Sequence, residues 1–203
     1  PGMGRLFWEE AQRTDIPAAD RLGVFERIRQ RVAAVPGVAA VGVSVVTPVS
    51  GMTWNNRVTV SGGTQLAERQ SISNFNAITP GWLTTFGTPL VAGRDVTPAD
   101  RKGSPPVVLV NQAFAKRFLN GENPVGRTVS LTAGSPSAEA PREIVGLVSD
   151  AVYRSLREPV PPTMYVPLAQ FDDSRRPAPP SMSISVRAQT GSPAALARAV
   201  AAA

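Results

Sequence analysis

The sequence predicts a mixed α+β body rich in short strands. Three observations point there. The chain is 42% hydrophobic, enough for a packed core, and only 18% charged, too little for a disordered segment. Its 20 prolines and 17 glycines divide 203 residues into many short elements. That length fits one ordinary domain or a pair of small ones.

The elements follow in order. The stretch "DRLGVFERIRQRVAAVPG" (20–37) sets Leu22, Phe25, Ile28, Val32 and Val35 on one helical stripe, with Asp20 as the expected N-cap and Pro36-Gly37 as the stop. The uncharged run 38–46 reads as a strand buried on both faces. "RVTV" (57–60) alternates like a half-exposed strand, the glycine pair 62–63 turns the chain, and 71–78 forms a further strand. In "TPGWLTTFG" (79–87), Thr79 is expected to cap, Pro80 to take the first helical position, and Gly87 to end a short helix that buries Trp82, Leu83 and Phe86. "PPVVLV" (105–110) is a core strand running into "NQAFAKRFLNG" (111–121). There Asn111 caps, Phe114 and Phe118 share a face at i, i+4, and Asn120-Gly121 supply a left-handed exit. Strands are expected again at 128–132, 142–150 and 163–168. Beyond the proline-rich "DDSRRPAPP" (172–180), Met182, Ile184 and Val186 alternate with Ser183, Ser185 and Arg187. Ser192 and Pro193 open a last helix that runs to Ala203 without a cap.

Composition removes several kinds of chemistry. With no cysteine there is no disulfide, thiol nucleophile or thiolate metal site. With no histidine, a Ser-His-Asp or Cys-His machine cannot be built, and the commonest metal ligand is missing. The formal charge of +6 is carried by arginines scattered along the chain, with only Lys102 and Lys116 as lysines. Scattered arginine and 6% aromatic content do not make a nucleic-acid face.

One motif invites a catalytic reading. "NGENPVGRTVSL" (120–131) is a single substitution from the phosphate-binding pattern G-x-x-x-x-G-K-[ST]. A phosphate cradle needs a strand before it and a helix after it. Here the expected order is helix, loop, strand; Pro124 removes an N–H donor and Arg127 replaces the lysine. The stretch therefore reads as a helix exit and a turn. Asp95, Asp100 and Asp150 are the carboxylates from which a hydrolytic pair could be drawn, and Asp172-Asp173 could touch a metal. "GRDVTPAD" (93–100) is more simply a strand end followed by a turn started by Thr97 or Asp100, and 172–173 a solvated loop. Of the tryptophans, Trp82 belongs in the core, and Trp54, in the polar run "GMTWNNR", is the surface candidate for a ligand.

No segment reaches the ~18 consecutive apolar residues that span a bilayer. The opening "PGMGRLFWEE" has an acidic pair where a signal peptide carries a basic and then an apolar run, and its Pro-Gly start suggests an excised piece of something longer.

In combination, "VPGVAAVGVSVVTPVSG" (35–51), "FNAITPGWLTTFGTPLVAGRDVTPAD" (75–100), "PVVLVNQAFAKRFLNGENPVGRTV" (106–129) and "REIVGLVSDAVYRSLREPVPPTMYVPLAQ" (142–170) resemble the MacB-like periplasmic core domain of ABC-transporter permeases, in particular the FtsX-like and duplicated orphan permease branch. The resemblance implies an extracytoplasmic domain inserted between the first and second transmembrane helices of an inner-membrane protein. It implies an α+β fold with a porter-like subdomain built from both chain ends, residues 14–87 and 176–203, and an inserted strand-rich, sabre-like subdomain, residues 88–175. It further implies no catalytic, cofactor or metal residues, and leaves the partner-binding residues open. The expected role is mechanical: movement of the permease's own transmembrane helices, driven by a separate cytoplasmic ATPase, is coupled to export or mechanotransmission in the periplasm. A second permease copy, a periplasmic partner or a cell-wall hydrolase would be the target, and no nucleic acid is involved. The competing reading is a secreted ligand-binding or carboxylate-dependent hydrolytic module built on the aspartates and Trp54. The two differ in whether both chain ends leave side by side from helices on one face.

Overall fold

Helix α1 (Ala18–Ala33) begins earlier than its apolar stripe. Pro17 takes the N-cap with no side-chain bond, and Asp20, expected there, lies inside the first turn, where its charge suits the positive helix end. The computed structural model describes residues 16–48, 50, 52–131, 140–151, 159–170 and 178–203. Gly37, at φ +89°, turns the chain into β1 (Val38–Ser44), followed by β2 (Asn55–Val60) and β3 (Ile72–Ile78). Helix α2 (Trp82–Phe86) starts from Gly81 rather than Thr79. Thr79 is used elsewhere: its hydroxyl accepts the Val43 N–H at 2.9 Å and its own N–H goes to the Val43 carbonyl, which joins β1 to the end of β3. Gly87, left-handed, ends α2 as the sequence requires.

The order continues with β4 (Leu90–Gly93), β5 (Val107–Asn111), α3 (Gln112–Leu119), β6 (Thr128–Leu131), β7 (Arg142–Val148), β8 (Thr163–Pro167) and β9 (Ser183–Ala188). A 3-10 turn at Pro193–Leu196, capped by Ser192, leads into α4 (Ala197–Ala202). At α3 the cap is more than local. The Asn111 Oδ1 accepts the N–H groups of Phe114 and Thr163, both at 2.9 Å, while its Nδ2 donates to the Pro161 carbonyl at 3.0 Å. One fully buried carboxamide thus starts α3 and fixes the entry of β8 beside β5.

The strand pairings return on themselves. β2 pairs with β6, β6 with β7, β7 with β5, β5 with β8, β8 with β3 and β3 again with β2, so six strands make a ring. Two strands in it have a shared edge. β3 runs parallel to β8 on one side, and on the other gives its first half to β2 and its last residue, Ile78, to Ser44 of β1. β7 does the same, parallel to β5 on one side and shared between β6 at its start and β4 at its end on the other. Each shared edge is a fork.

The ring is filled by residues from alternate positions of its strands, Val58, Phe75, Val108, Val110, Val129, Ile144, Met164 and Val166, and closed by Phe114 and Phe118 from α3. Outside the ring, β1 carries β9 on its far side in an antiparallel pair from Val38↔Ala188 to Ser44↔Ser183, with an extra residue in β1 between Val38 and Ala40. This two-stranded wing is covered on both faces. Val41, Ile184 and Val186 share a cluster with Ile28 and Val32 of α1, with Val35 just beyond it, and with Leu196, Val200 and Ala203. On the opposite face Gly42 lies so close to α2 that a Cβ there would meet the Trp82 Cα at 2.8 Å. The fold is α+β. No break in strand pairing coincides with residues 87–88: β2 and β3 pair with β6 and β8 across that position.

Candidate functional site

The sequence singles out Asp95, Asp100 and Asp150, and the structure ties each to a structural partner. Asp100, buried, accepts both arms of the Arg94 guanidinium at 2.8 Å and also the N–H and hydroxyl of Thr97, at 2.8 and 3.0 Å. The Arg94 guanidinium holds the Asp100 carboxyl below its ordinary range, with the Thr97 bonds acting in the same direction. Asp95 accepts the Val96 N–H, and its burial moves its carboxyl the other way, upward, with the Asp100 charge adding to the rise. Asp150 accepts the Ala113 N–H at 2.9 Å in the first turn of α3, where a negative charge suits the helix end. The turn expected at Thr97 and Asp100 is therefore present, and Arg94, six residues upstream of Asp100, is the partner that spacing alone did not single out. Among the described residues no group of acidic side chains is arranged to hold a metal ion. Asp172 and Asp173 lie outside the described residues.

The phosphate-loop look-alike resolves into a turn. α3 precedes it and β6 follows it, with Asn120 (φ 54°) and Gly121 (φ 86°) making the left-handed exit. Arg127 bonds the Gly62 carbonyl at 3.1 Å and Glu122 at 2.7 Å, so its charge fastens the turn to the end of β2 and is not offered to an anion.

The tryptophans separate as the sequence suggests. Trp82 is 0% exposed and stacks on Phe86 and Tyr165. Trp54 is 41% exposed, edge-on to Phe75 at 5.7 Å between ring centroids. It lines a crevice of about 430 Å³ with Val46, Met52, Pro180 and Met182. That crevice sits at the fork of β3, where β1 and β2 part company. Sequence reading exposed Trp54 but not the crevice, because Pro180 and Met182 arrive from more than a hundred residues away.

The third arrangement is the pair of helices nearest the chain ends. Val32 is the one buried residue of α1, and no residue of α4 is buried. Both helices rest on the same cluster, and so on the same face of the β1–β9 wing. Among the described residues no helix is long and apolar enough to cross a membrane.

Taken from its carboxylates to its helices, this is an α+β domain whose conspicuous polar groups hold turns and helix ends in place. Residues 4–203 match the MacB-like periplasmic core domain family, and the chain belongs to that family. Its fold is similar to that of the periplasmic region of MacB from Actinobacillus actinomycetemcomitans, with a TM-score of 0.60, 16% identity and coverage of 86% of this chain and 70% of that one. It is also similar to the extracellular domain of the noncanonic ABC-type transporter YknZ from Gram-positive bacteria, with a TM-score of 0.56, 18% identity and coverage of 86% and 76%. Among curated proteins none matches the chain.

Proposed function

We propose that this domain is the extracytoplasmic part of an ABC-transporter permease of the inner membrane, and that it acts mechanically without a reaction of its own. Membrane helices continuing from α1 and α4 transmit movement generated by a separate cytoplasmic ATPase, and the wing passes it to the ring. The observation that carries this reading is the placement of α1 and α4 on one face of β1 and β9 over a single shared cluster. Force applied to either helix reaches the same pair of strands, and through β1 the fork of β3. α1 is held along its length, by Val32 in its last turn, by Leu22 on the ring core and by the Arg21 guanidinium, which donates to the Ala178 carbonyl at 2.9 Å. It can therefore pass a displacement to the wing as a rigid element.

In this reading the porter-like part, residues 14–87 and 176–203, holds the wing and receives the movement, and the sabre-like insert, residues 88–175, presents a surface to a periplasmic partner or a second permease copy. The test uses the permease in its membrane with its ATPase. The chain has no native cysteine, so single cysteines at the exposed Arg27 and Arg198 can be modified by a membrane-impermeant maleimide in cells with a permeabilised outer membrane. Spin labels at the same sites report whether the helices shift when ATP is hydrolysed. Labelling only after cell lysis, or label distances indifferent to ATP, would sink the proposal.

A further inference from the structure

Strand β9 is the last of its sheet. It pairs with β1 on one side, and among the described residues no strand pairs with its other side. The outward groups can be assigned from β1. Val43 directs both its N–H and its carbonyl to Thr79, on the β3 side. Gly42 and Ser44 must then face β9, opposite Ser185 and Ser183. The far end agrees, since Gln189 gives its N–H to Gly37. Ile184 and Val186 consequently turn their N–H and C=O groups away from the sheet. Edge strands are commonly guarded by a proline, a bulge or an inward charge. β9 has none of these: the bulge lies in β1, and the Arg187 side chain is drawn onto α2, donating to the Thr85 carbonyl at 2.9 Å.

We infer that the free edge of β9 is a docking site for an extended segment of a partner polypeptide, which adds to the wing as a further strand with alternating apolar and acidic residues. The alternation follows from the two faces. Partner residues opposite Ile184 and Val186 lie on the side of Leu196 and Val200 and meet an apolar surface. Those in between lie beside Ser185 and Arg187. Charge sets their sign, because Arg187 is the exposed cation on that face and α2, which covers it, carries no charged residue. At the start of β9, Met182 lines the crevice that holds Trp54 and Met52, so one apolar side chain beyond the paired stretch has a place to enter. A second copy of β9 fits the edge poorly. Two such strands pair about an axis perpendicular to the sheet, which aims the two copies' α1 helices in opposite directions. This last step rests on the membrane attachment proposed above; the free edge itself does not.

The test is panning of a random-peptide display library on the whole chain. Enrichment of alternating apolar and acidic sequences is expected. A synthetic copy should bind at least about tenfold more weakly to Val186→Pro, whose nitrogen faces outward and leaves the β1 ladder intact. Should that variant fail to fold, the same peptide N-methylated at alternate residues should lose binding to the unaltered chain by a similar factor. The inference is overturned if no sequence is enriched, if enriched peptides bind regardless of N-methylation, or if sedimentation shows self-association that Val186→Pro abolishes. Maleimide labelling in cells is independent of every one of these outcomes, so the edge and the membrane placement fail separately.

Discussion

The two forks, at β3 and at β7, use the same pairing scheme and come to different ends. In each, a central strand runs parallel to one neighbour and divides its opposite edge between two antiparallel ones. At β7 the outer branch, β4, stops after four residues and leaves Leu90 and Val91 exposed. At β3 the outer branch, β1, runs seven residues, recruits β9, and is covered by α1 and α4 on one face and α2 on the other. A similar junction can therefore be a dead end or the root of a further packed layer. What decides is whether the branching strand is long enough and apolar enough to bury helices against itself.

The sharpest way to break the comparison is to remove what both forks share. Phe118, 2% exposed and packed on Phe114 inside the ring, should cost about 3–5 kcal/mol as Phe118→Ala, with every probe of unfolding shifting together in urea. Loss of the wing signal alone would mean that the wing unfolds as a separate unit. Next come the glycines at the junctions. A Cβ on Gly146 would run into the Arg94 carbonyl, and one on Gly42 into the backbone of Trp82. Gly146→Ala should cost about 3 kcal/mol and Gly42→Ala about 1–2, since the backbone must shift in both cases and the Arg94 carbonyl lies closer to the added methyl, held there by the Arg94 N–H bond to the Val145 carbonyl at 2.9 Å. Reversal of that order would show that the wing is the stiffer of the two.

A smaller effect tests the loop that leaves β4. Asp100→Asn should lower stability at neutral pH by about 1–2 kcal/mol through the weakened Arg94 pair. The sign with pH is fixed by the direction of the shift. Asp100 titrates lower folded than its ordinary value of 3.8, so its contribution is full above that value and is lost as pH falls through the folded one. The unaltered chain should lose its margin over Asp100→Asn in acid melts below about pH 4. An unchanged margin would mean that the pair contributes nothing. Smallest of all is Val200→Ala in the half-covered α4, expected at under about 1 kcal/mol, yet with faster amide exchange in β9 than in β5 or β8. Uniform protection across β9 and β5 would erase the distinction between wing and ring.

Much of the chain's local structure could be read from its residues, because local structure has local causes. "NQAF" from Asn111 with "NG" from Asn120 gave the α3 cap and exit, and alternation placed β2, β6 and β9 within a residue or two. Where local rules competed, tertiary context won. Thr79 offered a helix cap and served a strand; Asp20 offered another and was passed over because Ala18 and Ala19 already extend the helix. Partnership was not legible at all. The pairing of Val58 with Leu131, or of Phe75 with Met164, leaves no trace in periodicity, since a strand's alternation says which face is buried and nothing about its neighbour. The candidate site behaved likewise. Trp54 could be picked out as exposed, but the crevice beside it and the guanidinium gripping Asp100 depend on how distant loops meet.

The buried amide at Asn111 has a consequence for how far such a chain can drift. Its oxygen and nitrogen knit three main-chain groups from two segments some fifty positions apart. Aspartate would lose the donor to the Pro161 carbonyl and bury a charge beside it, and leucine would orphan all three groups. A frame riveted by main-chain contacts of that kind asks little of the side chains around it. Structures with 16–18% identity can then share this fold while most of their side chains differ.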